Sequence, residues 1–194
     1  MNSVISRVLK ENVAVHDRLL LEESDRILAA CRILADALRA GRKLLVFGNG
    51  GSAADAQHLA AELVGRFVVE RVPLPAVALT VDSSILTAVA NDYGYDQVFS
   101  RQVVALGAAG DVACGISTSG GSRNVLNGLE AARAMRLRTL ALTGRRGGPV
   151  ADVAEVAIRV PSDATARIQE AHATICHILC EAVEVALFGG GGAA

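Results

Sequence analysis

Aromatic side chains are scarce in this chain of 194 residues: tryptophan is absent, and aromatic residues make up 3% of the sequence. Since 52% of the residues are hydrophobic, the core must be packed mainly by aliphatic side chains and alanine. An excess of positive charge is also missing, because 19 Lys and Arg residues stand against 20 Asp and Glu residues, for a net charge of −1. This balance argues against a nucleic-acid-binding module, in which a strong basic excess is usual.

Long apolar runs and paired cysteines are missing as well. No uninterrupted apolar stretch reaches the roughly 18–20 residues of a membrane span, and residues 1–11 are polar and mixed in charge, unlike a signal peptide.

The four cysteines are scattered without a CxxC pair, which favours reduced thiols and a cytoplasmic location. His172, Cys176 and Cys180 lie at one-turn spacing and could form a metal stripe. We favour small apolar residues on a helix face, because free cysteines are usually buried.

Hydrophobic periodicity divides the chain into two parts. Apolar residues recur every three or four positions through residues 3–40, which predicts a helical pair that ends at Gly41. Beyond it, continuous apolar runs of strand length predict five strands, at 44–47, 76–79, 112–116, 139–142 and 156–160. Helical patterns separate them at about 53–64, 84–106, 122–135 and 163–187. Continuous runs indicate strands buried on both faces, and hence an α/β fold with a five-stranded parallel sheet flanked by helices.

The domain organisation follows from length and pattern. A chain of this length favours one domain, and no internal linker is visible. We expect residues 1–40 to form an N-terminal helical extension used for packing or oligomerisation, and residues 41–188 to form the α/β domain. The glycine-rich residues 189–194 are expected to be a flexible tail.

Two glycine- and serine-rich loops, at residues 48–52 and 117–122, each follow an apolar run and open a helical stretch. Backbone N–H groups at a helix N-terminus, together with serine hydroxyls, make an anion site that the helix dipole reinforces. Because the carboxyl ends of parallel strands share one sheet edge, both loops should meet there. The pair therefore predicts a site for a small phosphorylated ligand.

Two other readings of these loops are open. The first loop half matches a dinucleotide-binding fingerprint, with Asp82 in the place of a ribose-binding acid, and this would indicate a nucleotide-dependent oxidoreductase. The second loop could be a serine-rich turn in which Ser122 caps a helix. We favour a phosphate cradle, since glycines accompany the hydroxyl groups as in other anion-binding loops.

Histidines and a carboxylate lie close to the predicted site. His58 and Glu62 are four residues apart and share a helix face, which suits a metal pair, a base with its partner, or an ordinary surface pair. His177 lies in an apolar stretch and is either a satisfied core residue or a ligand or acid. His16 lies outside both segments, and we expect it to be solvated or at an interface.

These residues together resemble the SIS (sugar isomerase) domain family, and within it the phosphoheptose isomerases, over nearly the whole chain. The matching blocks are Gly48–Ser52 with Asp55, His58 and Glu62; Ala90–Gly94; Phe99–Gln102; Ile116–Gly120 with Ser122; Leu142–Gly144; and Arg167–Glu170 with His172 and His177.

The resemblance implies an aldose–ketose isomerase that converts D-sedoheptulose 7-phosphate to D-glycero-D-manno-heptose 7-phosphate for bacterial heptose and lipopolysaccharide precursors. It implies a cytoplasmic homotetramer with active sites at subunit interfaces, one zinc ion per subunit, and no nucleic-acid or membrane partner. Glu62 would take the carbon-bound proton and His177 would shuttle protons. The implied zinc ligands are His58, Glu62, Gln169 and His177. The implied substrate contacts are Asn49, Gly50, Gly51, Ser52, Glu62, Asn91, Asp92, Ser117, Thr118, Ser119, Ser122 and Gln169.

An alternative to the enzyme exists, and two features of the chain fit the resemblance less well. A relative of the same fold is a non-catalytic scaffold that binds a replication-initiation protein, but it lacks counterparts of Glu62 and His177, so we favour the enzyme. Residues 164–166 lack an acidic residue that some isomerases carry just before the matching arginine. Gln169 and His177 would lie about 12 Å apart along one helix. Either Gln169 precedes the helix in a folded-back segment, or the two ligands come from different chains.

Overall fold

The computed structural model describes residues 1–189, so most of the predicted flexible tail lies outside the described residues. The elements in chain order are α1 (Asn2–Arg39), β1 (Leu44–Gly48), α2 (Gly51–Val64), β2 (Ala76–Ala78), α3 (Ser83–Tyr93), a 3₁₀ turn (Tyr95–Gln97), α4 (Val98–Leu106), β3 (Val112–Ser117), α5 (Arg123–Ala134), β4 (Arg138–Gly144), α6 (Gly148–Val153), β5 (Val156–Val160) and α7 (Thr165–Phe188).

The five strands form one parallel sheet in the order β2-β1-β3-β4-β5. Alternate residues of each strand face opposite helical layers. Leu44 and Val46 belong to the core beneath α1, α2 and α7, whereas Leu45 and Phe47 belong to the core beneath α4, α5 and α6. The prediction of a five-stranded parallel sheet between helices is confirmed.

Helix boundaries in the second layer differ from the prediction. The helix expected over 84–106 is interrupted at Gly94, whose φ of 86° is left-handed and ends α3. Glycine adopts this conformation without the steric cost that a side chain brings. The short helix α6 was not predicted, because the Gly-Gly-Pro start of this segment hides a pattern of only six residues.

The N-terminal segment is one helix of 38 residues and not the helical pair that was predicted. Its buried residues begin at Val15 and include Leu19, Ile27 and Leu34, which join the core with α7 and the sheet. The preceding turns of α1 bury no residue. From Val15 onward, α1 is therefore an integral part of the domain core, while the turns before Val15 expose most of their surface.

Helix α7 is long and apolar enough, by length and composition alone, to cross a membrane. Its apolar residues nevertheless pack inside the protein, because Ile168, Ile175 and Leu179 lie in the core with α1, α2 and the sheet. Its Glu184 is buried and pairs with Arg71. Helix α7 is thus a core helix of this domain.

Candidate functional site

The two glycine–serine loops meet at the carboxyl edge of the sheet, where β1 and β3 are neighbours. The chain leaves β1 toward β2 on one side and continues from β3 toward β4 on the other, so this is the switch point of the sheet. Ligands of open α/β sheets bind in the crevice at such a point. Gly48, at the end of β1, is packed too closely for a side chain, since a Cβ atom there would lie 2.8 Å from the carbonyl oxygen of Ile116.

A pair of asparagines joins the loops. The Asn49 amide donates to Asn124 Oδ1 at 2.9 Å, and the Asn124 amide donates back to Asn49 Oδ1 at 2.9 Å. The hydroxyl of Tyr95 also donates to Asn49 Oδ1 at 3.2 Å. These contacts fix the orientation of Asn49 beside the crevice. Sequence reasoning missed Asn124 and Tyr95, although an asparagine two residues after the serine loop is a usable signal.

The two loops lead into the first turns of α2 and α5. Gly50 precedes α2 and Ser122 precedes α5, and neither makes a side-chain cap bond to its helix. The Ser122 hydroxyl instead lies 2.9 Å from the hydroxyl of Ser117. Capping by Ser122 is therefore wrong as an account of this loop. The Ser52 N–H donates to the Asn49 carbonyl at 3.0 Å, whereas within residues 1–189 the N–H groups of Gly50 and Gly51 have no backbone acceptor. Helices α2 and α5 both begin at the carboxyl edge of the sheet, after the neighbouring strands β1 and β3, which is the arrangement of an anion site.

The serine loop packs on the loop between β4 and α6. The Gly144 N–H donates to the Thr118 carbonyl at 3.1 Å, and the Val150 N–H donates to the Gly120 carbonyl at 3.0 Å. Gly120 has a left-handed φ of 68° and lies directly against the backbone of Gly147, which leaves no room for a side chain. The loop is thus held at a fixed height above the sheet, with Ser119 exposed at its tip.

A polar cavity of about 220 Å³ opens beside Ser119. Its lining includes Arg145 and Arg146, which follow β4 and pair with Asp163 at 4.0 and 3.5 Å. Two guanidinium groups against one carboxylate leave this cavity with a net positive charge. The sequence prediction did not include these arginines.

His58, Glu62 and His177 come together from α2 and α7. His58 Nε2 lies 3.1 Å from Glu62 Oε1 and 3.5 Å from His177 Nε2. The rings of His58 and His177 meet edge to face with centroids 5.0 Å apart, and the ring of Phe67 lies 5.5 Å from that of His177. The His58 side chain is 45% exposed and the Glu62 side chain 26%, so both are accessible. We name these three residues the His–Glu cluster.

Gln169 does not join the His–Glu cluster. Helix α7 is continuous from Thr165, which removes the folded-back segment considered above. Gln169 instead lies against the first loop, where a Cβ atom on Gly51 would be 2.3 Å from its Nε2 atom. The structure also makes it unnecessary for Glu62 and His177 to come from different chains, since both flank His58 of one chain.

The metal ligands predicted from the resemblance are therefore only partly assembled. Within residues 1–189, no group of three or more His, Cys, Asp or Glu side chains is arranged around a common metal position. The two distances within the His–Glu cluster are nevertheless close to the roughly 3.3 Å that separates ligands of a tetrahedral ion with bonds of about 2.0–2.1 Å. Two imidazoles and a carboxylate are also a donor set that zinc accepts.

Asn91 and Asp92 lie on α3, which buries none of its residues. Their side chains bond to each other at 2.7 Å, and among residues 1–189 no hydrogen bond joins them to the loops or to the His–Glu cluster. Asp82 caps α3 by accepting the Ile85 N–H at 2.9 Å, so the structure gives it a local role and not that of a ribose-binding acid.

The remaining histidines and the cysteine stripe are structural. His16 links α1 to α7 through Thr174 Oγ1 at 3.0 Å and is only part-exposed, so it is not simply solvated. His172 is fully buried and contacts the Thr143 carbonyl at 3.2 Å, and burial lowers its pKa to about 4. Burial likewise raises the pKa of Cys180 to about 12 and that of Cys176 well above its usual value. These groups are neutral core side chains, as the favoured reading predicted.

Comparison with known proteins agrees with this geometry. The SIS domain family matches residues 9–144. The phosphoheptose isomerase of Geotalea daltonii is 55% identical over 93% of this chain and 96% of its own length, and that of Geobacter sulfurreducens is 56% identical over 95% and 97%. The structure of a phosphoheptose isomerase from Neisseria gonorrhoeae superposes with a TM-score of 0.89 at 42% identity, covering 94% of this chain and 98% of the other.

Proposed function

The chain belongs to the SIS-domain family, and within it to the phosphoheptose isomerases, and from this premise we propose that it interconverts D-sedoheptulose 7-phosphate and D-glycero-D-manno-heptose 7-phosphate. The observation that carries the proposal is the His–Glu cluster beside the starts of α2 and α5, neither of which has a side-chain cap bond. Gly51 and His58 are seven residues apart on α2, about 10 Å along its axis. A seven-carbon sugar phosphate is long enough to place its phosphate at the loops and its carbonyl end at the cluster.

The phosphate end is assigned to the two loops. The N–H groups of Gly50 and Gly51 and the hydroxyls of the serine loop are hydrogen-bond donors that suit phosphate oxygens. The Ser52 N–H already donates to the Asn49 carbonyl at 3.0 Å, so Ser52 would contribute its hydroxyl. The serine-loop donors are Ser117, Thr118, Ser119 and Ser122. Asn49, fixed by Asn124 and Tyr95, faces the crevice and would bind sugar hydroxyls.

The carbonyl end is assigned to the His–Glu cluster. Isomerisation moves the carbonyl from C2 to C1 through an enediol: a base removes a proton from C1, a proton is returned to C2, and the two oxygens exchange a proton. Glu62 is the candidate for the carbon-bound proton, and His177 for proton transfer between the oxygens, since an imidazole both donates and accepts near neutral pH.

A metal fits this end of the site, and we propose one zinc ion per subunit. His58, Glu62 and His177 of one chain would hold it, and it would polarise the carbonyl and hydroxyl oxygens. Because metal binding lowers the basicity of a carboxylate and occupies an imidazole nitrogen, the ion would compete with the proton transfers assigned to Glu62 and His177. Gln169 lies about 12 Å from His177 along α7, so it cannot reach the metal of its own subunit. We propose that it contacts the substrate beside Gly51 of its own subunit, and that the only metal it would reach is that of a neighbouring subunit.

We further propose a cytoplasmic homotetramer with shared sites, to which residues 1–40 contribute. The first half of α1 exposes Val4, Ile5, Leu9 and Val13, each more than half accessible. An apolar groove of about 380 Å³ runs between α1 and α7. Asn91 and Asp92 lie on the exposed side of α3 and could serve a neighbouring site. Apolar surfaces of this extent are typical of subunit contacts.

A direct assay tests the function. Purified protein is incubated with sedoheptulose 7-phosphate, and the aldose product is followed by NMR through its anomeric proton, with unphosphorylated sedoheptulose as the control substrate. We expect conversion of the phosphorylated sugar and much weaker conversion of the control, because the loops bind the phosphate. A folded protein that converts neither sugar would contradict the proposal and return the non-catalytic scaffold to first place.

A further inference from the structure

Behind the His–Glu cluster, the side chains of Arg71 and Glu184 form an ion pair that is almost wholly buried. Arg71 Nε donates to Glu184 Oε1 at 2.8 Å, and the exposed fractions of the two side chains are 1% and 2%. Removing two charges from water is costly unless their remaining hydrogen-bonding capacity is also satisfied. Nothing in the proposed chemistry uses either residue, so the remaining partners of the pair indicate what it does.

Glu184 binds the backbone of the segment that follows α2. Its carboxylate accepts the backbone N–H groups of Phe67, Val68 and Val69 at 2.9 to 3.0 Å. Burial tends to raise the pKa of Glu184, but these N–H groups and Arg71 outweigh burial and hold the pKa below its usual value. The segment 67–69 is therefore wrapped around one charged group of α7.

Arg71 holds the end of α2. Its guanidinium donates to the carbonyl oxygens of Glu62 and Leu63, both at 2.9 Å. These carbonyls belong to the last turn of α2, where no intrahelical donors remain and where a cation is favoured by the helix dipole. One side chain thus fixes the backbone of Glu62 to α7.

The same pair also reaches His177. Glu184 lies seven residues after His177, two turns along the same side of α7. Through the Phe67 N–H it fixes the segment whose Phe67 ring lies 5.5 Å from the His177 ring. Both halves of the His–Glu cluster are therefore tied to one buried ion pair through backbone contacts.

We propose that Arg71 and Glu184 are positioning residues of the isomerase, which set the distance between the carboxylate of Glu62 and the imidazole of His177. This inference rests on the proposed function, because it assumes that those two groups move the protons. Misplacing a reacting group by about 1 Å can cost about 10²-fold in rate, so loosening the pair should lower kcat. KM should change less, because the phosphate-binding loops are built on other contacts.

The test compares three site variants with a matched control. Glu184→Gln keeps the shape of the side chain and removes its charge. Arg71→Lys keeps the charge but replaces the guanidinium, which donates to Glu184 and to two α2 carbonyls together, by a single ammonium group. Phe67→Leu leaves the ion pair intact. The control is Asp111→Asn at the opposite end of the sheet. Asp111 is also a buried carboxylate, which accepts from Lys43 Nζ and from the backbone N–H groups of Lys43 and Ala108.

We expect Glu184→Gln and Arg71→Lys to lower kcat for sedoheptulose 7-phosphate about 10- to 100-fold, with a smaller change in KM, and Phe67→Leu to lower kcat less. Asp111→Asn should lower the melting temperature and leave kcat of the folded protein near that of the wild type. If Glu184→Gln does not fold, the kcat values of Arg71→Lys and Phe67→Leu test the proposal. The proposal is overturned if the folded site variants keep wild-type kcat, or if the control loses kcat to the same degree.

A second readout separates this proposal from the proposed function. The ring resonances of His58 and His177 are recorded by NMR at one fixed pH in the wild type and in each variant. We expect the chemical shifts of the His177 ring, and its contacts with the His58 ring, to change in Glu184→Gln and Arg71→Lys and to stay the same in Asp111→Asn. If the wild-type protein converts no sugar, the proposed function fails while these spectra still test the positioning. Unchanged His177 resonances and ring contacts in both ion-pair variants would overturn the positioning itself.

Discussion

Substituting alanine for Gly51 tests the placement of Gln169 with one methyl group. A Cβ atom at this position would lie 2.3 Å from Gln169 Nε2 and 2.9 Å from Gln169 Cδ, so the two side chains cannot keep their places. The glutamine amide is the far end of a flexible side chain, and it should move while the backbone stays. The backbone N–H of residue 51 is retained.

The expected effect is on activity and not on folding. Gly51 lies in the first turn of α2, its φ is not left-handed, and alanine in a helix is favoured over glycine by up to about 1 kcal/mol. Loss of a hydrogen bond from Gln169 to the substrate is worth about 0.5–1.5 kcal/mol, which corresponds to roughly two- to tenfold in kcat/KM. Steady-state kinetics with sedoheptulose 7-phosphate, together with thermal unfolding, measures both.

A double variant isolates the cause. If Gly51→Ala acts through the displaced glutamine, the double variant Gly51→Ala/Gln169→Ala should be no less active than Gln169→Ala alone. The control is Gly121→Ala, where the new Cβ atom would meet only Ser119 Oγ at an ordinary 3.8 Å. Additive losses in the double variant, or full activity of Gly51→Ala, would refute the assigned position of Gln169.

Further predictions concern the phosphate, the metal, the assembly and pH. Ser119→Ala should raise KM for sedoheptulose 7-phosphate more than it lowers kcat, because its hydroxyl is assigned to the phosphate; an unchanged KM would contradict this. Zinc content measured by mass spectrometry should approach one ion per chain and fall in His58→Ala, whereas equal zinc in both proteins would exclude His58 as a ligand. Mixed oligomers of Gln169→Ala and His177→Ala chains should regain part of the activity, at sites where a Gln169→Ala chain receives the metal-binding Gln169 from its neighbour but lacks its own Gln169 beside the substrate; no recovery in verified mixtures would exclude a shared site. The neutral, buried His172, with its pKa lowered to about 4, should make the protein less stable as the pH falls below about 6.5, where the unfolded state takes up the proton. The loss should approach about 3 kcal/mol at pH 4, and chemical unfolding of His172→Gln should lack it.

The sheet and the two loops were predictable because their signals are local. A continuous apolar run such as Leu44–Phe47 is typical of a strand covered on both faces, and the order of such runs with intervening helices defines a parallel sheet. The glycines and serines that follow β1 and β3 specify the loop chemistry directly. Spacing alone also placed His58 and Glu62 on one face of α2, and the structure gives the 3.1 Å contact between them.

What sequence reasoning missed depends on contacts between distant parts of the chain. Arg71 and Glu184 are 113 residues apart, and the reciprocal bonds of Asn49 and Asn124 span 75 residues. Hydrophobic periodicity in the sequence does not indicate which distant residues pair in this way. The prediction of a helical pair in residues 3–40 was wrong for a different reason. The apolar residues of α1 are exposed before Val15 and begin to join the core at Val15, but the helix continues without a break.

The central claim is that Glu62 takes the carbon-bound proton during isomerisation. The most direct measurement is kcat for sedoheptulose 7-phosphate in the wild type and in Glu62→Gln, with circular dichroism and zinc content determined for both. The amide cannot accept that proton, so kcat should fall by at least about 10²-fold in a folded protein. A zinc-loaded Glu62→Gln protein with activity within a few-fold of the wild type would contradict the account.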